Sequence, residues 1–260
     1  IVDTPDGKWW ATFLAVRPYG DDLYNTGRET FLLPVEWKDG WPVILENGKT
    51  IPYVADAPKL PKTPAPPTSG PFKAAESFAG PELPPGWMTM RIPTSRWWSV
   101  KGGTLNIEAR KDKLGGQEQP SIWARRQQHM NATASTTVRF TPKADGDKAG
   151  LVAVQSDDFY WFVGLVRDGG KTLVRVEKRT GKTDPVDGVV VAEKPVSLKA
   201  GQPLNLRIDV KAGALDFAYG TAPGKWETLK AGADGTTLST KIAGGFVGTM
   251  LGVYAHGAGK

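Results

Sequence analysis

The sequence predicts an all-β protein whose larger part is a two-sheet β-sandwich. Three observations carry this. Segments such as TLNIEAR (104–110), TASTTVRF (133–140) and LNLRIDVK (204–211) alternate apolar and polar residues. AGLVAVQS (149–156), YWFVGLVR (160–167), LVRVEKR (173–179) and ALDFAYG (214–220) alternate likewise or run apolar without interruption. Gly, Asp-Gly and Gly-Lys separate them at roughly the 8–12-residue spacing of a sandwich. No segment sustains a 3.6-residue apolar period, and no repeat of 20–50 residues, roughly the range of solenoids and propellers, is visible across 72–260.

Ahead of the sandwich lies a proline-dense stretch, KLPKTPAPPTSGP (59–71). Prolines at this density remove backbone donors and favour extended polyproline backbone, so 57–71 reads as a semi-rigid linker. Residues 1–56 form a short β-rich piece. KWWATFLAVRP (8–18) and ETFLLPVEW (29–37) are strand-like, and Asp39-Gly40 is a tight-turn signal between Trp37 and Trp41. A piece this short buries too little surface to stand alone, and reads as part of something larger.

Composition excludes several functions. Hydrophobic residues make up 40% of the 260 positions, enough for a core and too many for global disorder. No run of about 18 apolar residues offers a membrane span, and the N-terminus carries no signal-peptide pattern. The sequence has no cysteine, so neither disulfides nor thiolate metal sites arise. That leaves the compartment open between cytoplasm and periplasm or exterior. The 33 Lys+Arg against 27 Asp+Glu leave a charge of +6, but the basic residues are scattered. Arg125–Arg126 is the one tight cluster, so a nucleic-acid groove is not expected.

His129 and His256, the two histidines, lack the carboxylate spacing of a metal site. The expectation for His129 is a half-buried strand residue bonded to a neighbour. No G-x-S-x-G elbow is present. The glycines of AGGFVGTMLG (243–252) lack the Lys-Ser/Thr of a phosphate loop and read as turn and close packing. Ten tryptophans, in the groups Trp9–Trp10, Trp37 with Trp41, and Trp97–Trp98, favour carbohydrate as the partner, because indole faces stack on sugar C–H faces. Neighbours on a strand point to opposite faces, so one of each adjacent pair is expected in the core.

Six runs carry a resemblance that extends, in order, over essentially the whole chain. They are GKWWATFLAVRPYG, NTGRETFLLPVEWKDGWPVI, ESFAGPELPPGW, SIWARRQQHMNATASTTVRF, AGLVAVQSDDFYWFVGLVRD and STKIAGGFVGTMLGVYAHG. They resemble the C-terminal half of the β-xylosidases and arabinofuranosidases of glycoside hydrolase family 43. The resemblance implies that 1–56 are the end of a five-bladed β-propeller, 57–71 the connector and 72–260 a jelly-roll or lectin-like sandwich. It implies an exo-acting, inverting glycosidase on xylo- or arabino-oligosaccharides.

The family's two aspartates and one glutamate lie on earlier blades, N-terminal to the region matched. Neither Asp21–Asp22 nor Glu29 matches them, so this chain alone is expected to be inactive, and an N-terminal propeller part or subunit is the expected partner. The chain ends at AHGAGK, short of the family's final strand. Arg28 matches the family's pocket-floor arginine, which contacts substrate and biases a carboxylate pKa; a strand-end pair with Glu29 is the other reading. Phe246 matches the sandwich-loop aromatic that closes the pocket; an interface plug is the other reading. No cofactor is implied in this chain. The resemblance leaves room for a structural calcium in the propeller part outside it, and for a homo-oligomer. The alternative function is a non-catalytic carbohydrate-binding or scaffold sandwich.

Overall fold

The computed structural model describes residues 1–61, 70–199 and 201–257. The chain divides into two compact units: residues 1–16 with 28–76, and residues 17–27 with 77–260. Most of the predicted linker, residues 62–69, lies outside the described residues.

The first unit is a four-stranded antiparallel meander: β1 (Val2–Asp3), β2 (Trp9–Ala15), β3 (Glu29–Lys38) and β4 (Trp41–Val43), paired in chain order. Four strands in sequence order is the layout of a propeller blade. Asp39 and Gly40 both take positive φ, 49° and 80°. That is the two-residue turn whose twist matches the flanking strands, as Asp-Gly foretells. Trp10, Ala11, Leu33 and Val35 are buried, whereas Leu14, Leu32, Trp37 and Trp41 are exposed. Residues 44–61 contain no strand.

The second unit is the sandwich. A hairpin of β5 (Trp98–Lys101) and β6 (Thr104–Ile107) precedes β7 (Ser121–Arg126), β8 (Asn131–Val138), β9 (Lys148–Ser156) and β10 (Phe159–Asp168). Then come β11 (Lys171–Thr180), β12 (Val189–Pro195), β13 (Leu204–Lys211), β14 (Ala214–Ala222) and β15 (Lys225–Asp234). A 3₁₀ turn (Gly235–Leu238), the one-turn helix α1 (Thr240–Ala243) and β16 (Met250–His256) close the unit. Six strands pair in the order β12-β11-β10-β9-β16-β7, four in the order β15-β14-β13-β8.

Strand period explains the layering. In β13, Leu204, Leu206, Ile208 and Val210 alternate with partly exposed polar residues and enter the core between the sheets. They meet Leu151, Ala153, Trp161, Val163, Leu165, Val174 and Val176 from the larger sheet, and Trp161 stacks on Phe217 at 5.5 Å. β9 and β10 are buried nearly throughout because the larger sheet is covered on both faces. A second apolar cluster, built on Leu114, Ile122, Val152, Tyr160, Phe162 and Tyr254, fills its outer face. This is why those two segments read as unbroken apolar runs.

One local reading is corrected. His129 sits in a bend after β7, half-buried, and not in a strand, because the polar run QQHM offers no alternation to pair. The glycines of 243–252 are turn and close packing as read: Gly244, Gly245 and Gly248 lie in the loop after α1, and Gly252, in β16, packs against Ala124 of β7. No helix among the described residues is long and apolar enough to cross a membrane.

Candidate functional site

Arg28 belongs to the first unit. It lies in the bend immediately before β3, and its side chain is exposed. Glu29 is the first residue of β3 and half-buried. Phe246 belongs to the second unit, on the loop joining α1 to β16, with 69% of its surface exposed. Ile242 and Val247 of the same segment are also exposed. An apolar side chain held this far into solvent contributes little to its own unit's core.

The segment preceding Arg28 is not an ordinary hairpin turn. Residues 17–27 leave the meander and fold into the sandwich unit. The Asn25 Nδ2 group donates to the Gly235 carbonyl at 2.8 Å, and its Oδ1 accepts from the Tyr19 hydroxyl. The Thr249 amide donates to the Asn25 carbonyl at 2.7 Å. The Tyr24 amide donates to the Ser239 hydroxyl at 2.8 Å, and the same hydroxyl caps α1 by accepting from Lys241. Burial, with Asp234 nearby, pushes the Tyr19 phenol up to about 12, so it stays a donor at neutral pH.

At the end of the segment two backbones cross. A Cβ on Gly27 would lie 2.3 Å from the Gly248 nitrogen, and one on Gly248 would lie 2.3 Å from the Thr26 carbonyl carbon. Gly27 also holds φ at +73°. Only glycine on both sides permits that approach. Sequence reasoning missed this junction. Its one visible signal was an Asn-Thr-Gly run too long and too polar for a two-residue hairpin.

The tryptophans are mostly structural. Trp10 is buried and Trp9 is at the surface, edge-on to Trp37 at 5.4 Å. Trp97 is buried with Trp98 edge-on to it, and Trp123 is edge-on to Trp98 and tilted against Trp97. Arg110 lies over Trp97 at 5.2 Å and Arg96 over Trp98 at 5.3 Å. Arg125 lies over Trp87 at 5.9 Å and neighbouring Arg126 is exposed, so the one basic doublet is split between an aromatic contact and solvent. One indole of each adjacent pair is core, as strand geometry requires.

The outer face of the larger sheet, the surface on which a free-standing sandwich could bind a sugar, is closed. Lys148 and Glu177 form a 2.6 Å ion pair there with both side chains under a tenth exposed. The Tyr160 hydroxyl donates to the Val186 carbonyl, and the Leu114 amide to the Tyr254 hydroxyl. Between these groups remains about 10 Å³, room for roughly one water. His256 is buried beside this cluster, and burial with the Lys148 charge lowers its pKa below the ordinary value. Its Nδ1 has no hydrogen-bond partner among the described residues. A wider depression of about 340 Å³ opens by Pro195–Ser197 and Lys225–Glu227. The indole at its rim, Trp226, already has one face covered by the Arg207 guanidinium at 4.6 Å. No group of three His, Asp or Glu residues that could hold a metal occurs among the described residues.

Residues 75–260 match the model of the β-xylosidase C-terminal concanavalin A-like domain, and residues 1–42 match that of glycosyl hydrolases family 43. A non-reducing end α-L-arabinofuranosidase from Bacteroides ovatus is 30% identical over the whole chain, which covers 47% of it. A xylan 1,3-β-xylosidase from a Vibrio species is 28% identical over 92% of the chain, and 45% of that enzyme is covered. A crystal structure of a family 43 protein from Bacillus licheniformis superposes with a TM-score of 0.85 at 28% identity, over 99% of this chain and 49% of that one. The chain thus spans about half the length of the curated relatives it matches. From the matched models and the sandwich they describe, the chain belongs to glycoside hydrolase family 43, the greater part of it being the family's C-terminal concanavalin A-like domain.

Proposed function

We propose that this chain is the C-terminal portion of an exo-acting, inverting glycoside hydrolase of the β-xylosidase or α-L-arabinofuranosidase type. Its substrates are xylan-derived oligosaccharides, and the catalytic carboxylates reside in a propeller part N-terminal to the matched region. One observation carries the reading: a blade-like meander with Arg28 exposed at the mouth of β3 precedes the sandwich, in the order of the family. A module that only binds sugar has no use for a lone blade. The closed outer face of the larger sheet speaks against such a module as well.

Inverting hydrolysis needs an acid and a base about 6.5–9.5 Å apart with a water between them. Those groups come from the other blades. Arg28 contributes a permanently charged fork that hydrogen-bonds sugar hydroxyls and favours the ionised form of a nearby carboxylate, keeping a general base ready. Phe246 supplies an apolar wall to the sugar pocket.

The test takes two proteins. The isolated chain hydrolyses no aryl xyloside or arabinofuranoside, whereas the full-length enzyme does. In that enzyme Arg28→Ala lowers kcat/KM by a few powers of ten at an unchanged melting temperature, since a charge-assisted contact in a dry pocket is worth about 3 kcal/mol or more. Turnover by the isolated chain, lost on mutating its own carboxylates, refutes the reading.

A further inference from the structure

We propose that Asn25 is a positioning residue for Arg28, acting through the hydrogen-bonded knot that builds residues 17–27 into the sandwich. The proposal rests on the reading of Arg28 as a sugar-contacting residue and adds how that arginine is held.

The connection from β2 to β3 is far longer than the usual hairpin loop of about 2–5 residues. Loops of this length in compact domains are commonly functional, and the cost of ordering one has to be met by specific bonds. Bonds run along the loop, from Arg17 to the Gln128 carbonyl and from the Tyr19 amide to the Leu23 carbonyl, but burial is concentrated at the end that meets Arg28. Asn25, Thr26 and Gly27 are buried, whereas Asp21 and Asp22, earlier in the same loop, are exposed. Asn25 alone makes three hydrogen bonds: to the Gly235 carbonyl, from the Tyr19 hydroxyl, and from the Thr249 amide to its own carbonyl.

Tyr24 adds two more backbone bonds, to the Ser239 hydroxyl and from the Thr240 amide. Thr240 in turn ties its hydroxyl to the Val247 carbonyl at 2.8 Å, and Gln155 donates to the Gly244 carbonyl at 2.8 Å. Both strands of the crossing are therefore braced. The glycine crossing then fixes Gly27 to within van der Waals contact of Gly248. The next residue in the chain is Arg28, so its guanidinium is rooted on a backbone with almost no freedom at its N-terminal side.

The chemistry needs such a root. A long, exposed arginine loses considerable rotamer entropy on engaging a sugar, and fixing its backbone lessens what remains to be lost. A displacement of about 1 Å at a catalytic contact costs on the order of a hundredfold in rate. Asn suits the position because one side chain offers a donor and an acceptor at once, and leaves no charge in a buried site. Asp would keep only the acceptor.

A double-mutant cycle in the full-length enzyme decides it, with kcat, KM and melting temperature measured on a chromogenic aryl glycoside. Asn25→Ala is expected to lower kcat about ten- to a hundredfold with little change in KM. The same change in an Arg28→Ala background is expected to cost less than about twofold, because its effect is transmitted through a side chain already absent. Independent, additive losses overturn the positioning role while leaving Arg28 in place as a substrate contact. Wild-type kinetics for Arg28→Ala overturn both readings. Should Asn25→Ala fail to fold, Ser239→Ala, which removes the acceptor for the Tyr24 amide, enters the same cycle with the same expected and refuting outcomes.

Discussion

The two units of this chain bury their apolar residues very differently. In the sandwich, Leu204, Leu206, Ile208, Phe217 and Val163 are wholly inaccessible, and the larger sheet is covered on both faces. In the four-stranded meander the buried set shrinks to Trp10, Ala11, Leu33 and Val35, while Leu14 is 60% and Trp41 75% exposed. A sandwich closes its own core between two sheets. A single blade presents an apolar face that only another blade can cover. One unit of the chain satisfies its hydrophobic residues internally, and the other presents them as an unfilled contact.

The largest effect expected from this contrast is at Phe217. Truncation to alanine removes a ring stacked on Trp161 in the middle of the core, at a cost of about 3–5 kcal/mol measured by denaturant unfolding. Leu14→Ala makes the complementary probe. In this chain it changes stability by about 0.5 kcal/mol or less, as exposed substitutions do. In the full-length enzyme, where the proposed propeller would set a neighbouring blade against it, the same substitution is expected to cost about 2–5 kcal/mol. Equal effects in the two proteins would break the comparison, for Leu14 would then face solvent in both.

A smaller effect concerns pH and belongs to the sandwich alone. The pKa of His256 is lowered by burial and by Lys148, with Asp187 opposing. In the unfolded chain the imidazole titrates near 6.5, and in the fold it resists protonation. The unfolded state therefore binds the extra proton first as pH falls. Stability held above about pH 6.5 is lost progressively below it, until the depressed folded value is passed. Thermal melts between pH 7.5 and 5 should show this slope, and His256→Gln should flatten it. The smallest stability effect is at Phe246. Its replacement by alanine leaves the melting temperature almost unmoved, yet raises KM in the full-length enzyme. A large drop in melting temperature with unchanged KM would make it a structural plug.

The elements easiest to foresee were those whose burial is periodic. β13 was read with both its ends, and β9, β10, β11 and β14 to within two residues, because alternation or an unbroken apolar run reports one or two covered faces directly. β15 went unread: KWETLKAGAD is mostly exposed, an edge strand held by pairing with β14 and carrying little apolar signal. β12, at the other sheet's edge, also went unread although it opens on the apolar run VVVA, whose residues are exposed or only half-buried. Arg28 and Phe246 were assigned their roles only through family resemblance, since neither an exposed arginine nor a loop phenylalanine stands out by pattern. The bonds of Asn25 were not legible at all. Two of the three join residues more than 200 positions apart, and nothing local in YNTG points to Gly235 or Thr249.

That distant pairing changes what counts as a module in this lineage. A break in the proline-rich stretch looks like the natural seam for exchanging one sandwich for another between relatives. Made there, the exchange would strand residues 17–27 against a foreign loop, leaving the Gly235 carbonyl, the Ser239 hydroxyl and the Thr249 amide without their present partners. Two glycines that tolerate no side chain would have to find each other across a new crossing. The heritable piece is therefore discontinuous: an eleven-residue graft from the blade and the loop around Gly248 have to be transplanted together or not at all.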